Sequence, residues 1–121
     1  MMDMEALVKQ LIATVKARVS FSELRTAHGS ERYLEGVILR PHLEACCGLL
    51  REALGPPLKD FGKPPQFAPE IEWAIDRLGG VRISQCLFFA NGGERQVAYA
   101  ALWPWESDPT RVTLKVGLIG L

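Results

Sequence analysis

Apolar positions recur with a helical period at the start of the chain. Met4, Leu7, Val8, Leu11, Ile12, Val15 and Val19 fall on one face, while Lys9, Gln10, Lys16 and Arg18 sit mostly on the other. With Asp3 as N-cap, the spacing predicts a core-packing helix over 4–19. Residues 20–31 read as a connector with a turn signal at Gly29-Ser30. The segment 32–40 suits either a helix or a strand. Gly36 weakens the helix, and Pro41 pushes its predecessor towards extended backbone while favouring the first position of a new helix. A strand ending near Arg40 is therefore expected, followed by a helix over 41–54 that buries Leu43, Cys46, Cys47, Leu50 and Leu54. Gly55-Pro56-Pro57 stops that helix.

Five prolines and two glycines make 55–69 a loop, with Leu58, Phe61 and Phe67 as apolar anchors. The prolines never take the PxxP spacing that an aromatic groove reads. A short helix over 69–78 places Pro69, Glu70 and Glu72 at its start and Arg77 at its end, in accord with the helix dipole. Ile71, Ile75 and Leu78 form its inner stripe.

Three strands follow, at about 81–90, 95–105 and 110–119, the first two joined at Asn91-Gly92-Gly93. The last alternates cleanly, with Val112, Leu114, Val116 and Leu118 on one face and Arg111, Thr113 and Lys115 on the other. A four-residue loop, Glu106 to Pro109, would set Trp105 opposite Thr110 and Trp103 opposite Val112. Tyr99, Ala101, Trp103 and Trp105 would then join the apolar face under the helices, leaving Gln96, Ala98, Ala100 and Leu102 on the opposite side. The expected fold is a single α+β domain over 1–121, an antiparallel sheet of three to four strands ending in a β-meander, with two to three helices packed on one face.

Composition narrows the function classes. Fourteen basic residues against fourteen acidic ones argue against nucleic acid and anionic membranes as partners. No apolar run reaches the roughly 18 residues that span a bilayer. The charged opening segment does not read as a signal peptide, so a cytoplasmic location is expected. An odd count of three cysteines is a poor disulfide framework.

His42 and Cys46 share a helical face, yet His28 and Cys86 are the only further ligands of those types apart from the adjacent Cys47, so no metal is expected. A cysteine nucleophile needs an exposed, acidified thiol, whereas Cys46 lies on a core stripe and Cys86 beside Leu87 and Phe88. Glu70 and Glu72 point apart, and no nucleophile elbow, phosphate loop or dinucleotide fingerprint appears. No cofactor is expected.

Two function classes remain. One is a non-catalytic binding or accessory module acting as a homodimer, with the Gln96/Ala98/Ala100/Leu102 face as its contact if that face is uncovered. The other is a small-molecule-binding domain or small enzyme with a pocket at the 103–111 turn. There Trp103 and Trp105 would stack on an apolar group and Arg111 would hold an anion.

Overall fold

The computed structural model describes residues 3–25, 31–91 and 96–120. The expected turns at Gly29-Ser30 and Gly92-Gly93, and His28, lie outside the described residues. The architecture is α+β, a five-stranded antiparallel sheet with three α-helices. The order along the chain is α1 (Met4–Arg18), β1 (Glu23–Leu24), β2 (Leu34–Leu39), α2 (Leu43–Leu54), α3 (Pro69–Arg77), β3 (Cys86–Asn91), β4 (Gln96–Pro104) and β5 (Arg111–Gly120). In space the strands run β1-β2-β5-β4-β3. The C-terminal meander thus receives β2 on the outer edge of β5.

Local chemistry sets the elements. The Asp3 carboxylate accepts the Ala6 amide at 2.7 Å and starts α1, which buries Met4, Val8, Leu11, Ile12 and Val15. Pro41 lies in a single 3-10 turn, Arg40–His42, that feeds α2. Gly55, with φ 82°, closes α2 in a backbone conformation that L side chains resist. Pro69 opens α3, where Ala74 and Ile75 face inward and Trp73 stays 54% exposed beneath Arg77.

Two expectations shift. First, β1 was not anticipated within the 20–31 connector. It is held by Ser22 N–H to the Val37 carbonyl and Arg25 N–H to the Glu35 carbonyl, both at 2.9 Å. The Phe21 ring lies over Gly36. Second, β3 begins at Cys86 rather than near 81. Residues 81–85 spend their polar groups elsewhere. Gln85 N–H bonds the Arg82 carbonyl, Gly62 N–H bonds the Ile83 carbonyl, and the Lys59 ammonium donates to the Ile83 and Gln85 carbonyls at 2.6 Å each. Lys59 is only 3% exposed and forms a backbone bridge with Leu87, which shields the β3 edge.

The larger correction concerns register. Trp103 pairs with Thr113, Leu102 with Leu114 and Ala100 with Val116, one residue off the expected alignment. The Asp108 side chain accepts from Thr110 N–H and Oγ–H, and the Asp108 carbonyl accepts from Arg111 N–H. Thr110 therefore belongs to the turn, and Trp105 N–H bonds the Arg111 carbonyl. A slip of one residue moves every β4 side chain to the other face.

The consequence is a sheet covered on both sides. Ala98, Ala100 and Leu102 join Leu34, Ile38, Phe88, Val112, Leu114 and Val116 beneath α1 and α2. On the far face, α3 packs against Leu87, Val97, Tyr99, Ala101 and Ile119. The Ala98/Ala100/Leu102 surface is therefore core, not a contact for a second subunit. The helices divide between the two faces rather than sharing one.

Candidate functional site

Only the β3–β4 side of the far face, and the C-terminal end of β5, lies beneath α3. Towards β5, β2 and β1 the same face carries Trp103, Thr113, Lys115, Glu35, Leu39, Arg111 and Glu23, in register across the strands. Trp105 completes it. Its indole N–H donates to the Thr113 hydroxyl at 2.8 Å, which turns the ring back over the sheet. The guanidinium carbons of Arg25 and Arg111 each lie 5.5 Å from its centroid. The Lys115 ammonium sits 4.1 Å from the centroid of Trp103.

The charges on this face pair internally. Arg25 meets Glu23 at 3.3 Å, Arg111 meets Asp108 at 3.2 Å and Lys115 meets Glu35 at 3.9 Å. Hydrogen bonds from Thr110 hold the Asp108 carboxylate below its ordinary pKa. Glu35 also accepts the Tyr33 hydroxyl at 2.7 Å. Burial, reinforced by that bond, raises the Tyr33 phenol above its ordinary value. Burial first and Glu35 second do the same to Tyr99. Among the described residues, the buried Trp103 indole nitrogen has no hydrogen-bond partner. An orphan donor of this kind costs about 1–3 kcal/mol.

Of the three residues singled out by sequence, Trp103, Trp105 and Arg111 do share one face. Trp103 and Arg111 do not line the cavity that Trp105 lines, and the Arg111 guanidinium faces Asp108 and Trp105. That cavity, at the turn, measures about 530 Å³ and is walled by Leu43, Phe61, Pro104, Trp105 and Pro109, with Arg40 at its edge. Sequence reading gave Phe61 only as a loop anchor, which it is, and did not single out Arg40. Arg40 reaches the turn because β2 pairs with β5, which places Arg40 N–H on the Thr110 carbonyl at 2.8 Å. Pro41 marked the end of β2, but no local signal named its partner strand.

The cysteine thiols do not offer an activated nucleophile. Burial pushes Cys46 and Cys86 up to about 12, and burial likewise raises Cys47. Among the described residues, no three His, Cys, Asp or Glu side chains gather as a metal site. No helix is long and apolar enough to cross a membrane among those residues. No protein-family model matches the chain, and searches of characterised proteins and of solved structures also return no match.

Proposed function

We propose that this chain is a non-catalytic binding module that works as a homodimer, joined through the part of its far sheet face that carries Leu39 and Trp105. The observation that supports this reading is the contrast within one sheet face. Its β3–β4 side lies beneath α3, whereas the apolar cluster under α3 does not extend to Trp105 and Leu39 towards β5 and β2, where Val37 and Thr113 are buried between them. Leu39 remains 37% exposed. Tryptophan and arginine, the residues concentrated here, dominate the energetics of protein interfaces.

Charge selects the occupant. Arg25, Arg111 and Lys115 are balanced on the face by Glu23, Asp108 and Glu35. A surface with no net charge and both signs interleaved repels neither itself nor its two-fold mate. A strongly charged partner would gain nothing from it. Self-association under two-fold symmetry, with each residue meeting its counterpart's neighbours, fits this pattern.

Leu39→Lys tests the proposal. Leu39 lies at the open end of β2, so the monomer tolerates a lysine there. In the dimer the added ammonium would be desolvated without a partner, weakening association by about 100-fold or more. Light scattering is expected to give twice the 13.4 kDa chain mass for the parent protein and the single mass for Leu39→Lys, with unchanged circular dichroism. A parent protein that stays monomeric at high micromolar concentration, or a variant that dimerises equally well, overturns it.

A further inference from the structure

We infer that the cleft at the 104–109 turn, which shares Trp105 with the proposed dimer face, is a second binding site, for a small carboxylate carrying a flat apolar body. Its walls are apolar on several sides: Leu43 from α2, Phe61 from the loop after α2, and Pro104, Trp105 and Pro109 from the β4–β5 turn. Its volume of about 530 Å³ falls in the range of small-molecule sites, roughly 300–1,000 Å³.

The polarity of the ligand follows from Arg40. Its Nε donates to the Pro109 carbonyl at 2.7 Å and its backbone N–H to Thr110, so both ends of the residue are tied to the turn. Among the described residues, no carboxylate comes within 4.0 Å of its guanidinium, whereas Arg25, Arg32, Arg51, Arg82 and Arg111 each have one. The one carboxylate in the cleft lining, Glu106, is engaged by Arg82 at 2.8 Å. The cleft therefore holds a cation tied to the turn that meets no carboxylate directly among the described residues, beside a largely apolar surface with the Arg82–Glu106 pair at its rim. A planar carboxylate matches the remaining donors of a guanidinium fork, and an aromatic or alkyl body matches the walls. A neighbouring hollow shares Arg40, Leu43 and Phe61 but also carries Glu44 and Arg51, so the apolar body is placed on the Pro104–Trp105 side of the cleft.

The test compares three probes of one shape: 4-phenylbutyrate, 4-phenylbutanol and 4-phenylbutylamine, titrated by amide chemical-shift mapping. It is run on the parent protein and on Leu39→Lys, so the answer does not depend on whether the sheet face dimerises. The carboxylate is expected to bind about five- to tenfold tighter than the alcohol, the gain available to a solvent-facing charge pair, and tighter still than the amine. Shifts should concentrate at Leu43, Phe61 and Trp105. Arg40→Gln should erase the preference, Arg40→Lys should retain part of it, and Phe61→Ala should weaken all three probes alike. Equal affinity for the three probes, shifts centred elsewhere, or a carboxylate preference that survives in Arg40→Gln overturns the inference.

Discussion

A methyl group added at Gly36 probes the contact that fixes β1, and with it Arg25, on the sheet. Gly36 lies in β2 without positive φ, so its backbone suits any residue. Space is what demands glycine. A Cβ there would lie 2.6 Å from Phe21 Cδ1, 2.9 Å from Cε1 and 3.0 Å from the Glu23 carbonyl oxygen. Ordinary carbon contacts need about 3.5–4.0 Å, so the ring must move by about 1 Å. Overpacking of this kind costs about 1–3 kcal/mol, offset by about 0.4–1 kcal/mol from the reduced freedom of the unfolded chain. Gly36→Ala should therefore destabilise by roughly 1–2 kcal/mol. With an unfolding entropy of about 2.1 cal/mol/K per residue over 121 residues, that lowers Tm by about 4–8 °C.

In a Phe21→Ala background the same substitution meets no ring, only the Glu23 carbonyl at 3.0 Å, and should cost clearly less. The coupling energy of the cycle is then about 1 kcal/mol, outside the scatter of additive sites. Urea and thermal unfolding followed by circular dichroism measure it. Amide exchange at Ser22 and Arg25 should also quicken in Gly36→Ala, since the displaced ring no longer pins β1. An equal effect of Gly36→Ala in both backgrounds would refute the packing account of this glycine.

Lys59→Met leaves the Gln85 carbonyl without its Lys59 donor and the Ile83 carbonyl with Gly62 N–H alone, and should cost about 1–3 kcal/mol in denaturant unfolding, whereas unchanged stability would show those bonds to be replaceable by water. Burial lowers the Lys59 pKa, so between that value and the ordinary 10.5 the unfolded chain binds more protons. The burial cost is complete below the folded pKa and is relieved above it, so the stability of the parent relative to Lys59→Met should rise with pH across that window. In a Cys47→Ser variant, which removes the half-buried thiol, Cys46 and Cys86, held up to about 12 by burial, should react with a disulfide reagent at neutral pH only as fast as the fold opens, and a rapid thiol burst would contradict this.

Periodicity made the helices legible, because α1, α2 and α3 each bury one stripe and wet the other. The alternation of β5 was equally plain, and Pro41 placed the end of β2. What could not be read was which face of β4 lay under which helix. Its run from Val97 to Leu102 is buried on both sides, so alternation carries no facing information. The face then hung on the register, and the register hung on whether Thr110 belonged to the strand or to the Asp108 turn. That single choice inverted the expected roles of the tryptophans and of the small residues between them. β1 is two residues long and is held by partners distant in sequence, so it left no local pattern. Arg40 gained its position from the pairing of β2 with β5, which likewise has no local signature.

The central claim is that Leu39, Trp105 and their neighbours are buried against a second copy of the chain. Isotope-filtered cross-relaxation in a mixture of labelled and unlabelled protein tests it most directly. Intermolecular contacts from the Leu39 methyls and the Trp105 indole are the predicted result. Their absence at high protein concentration, or intermolecular contacts arising from α1 and α2 instead, would contradict the account.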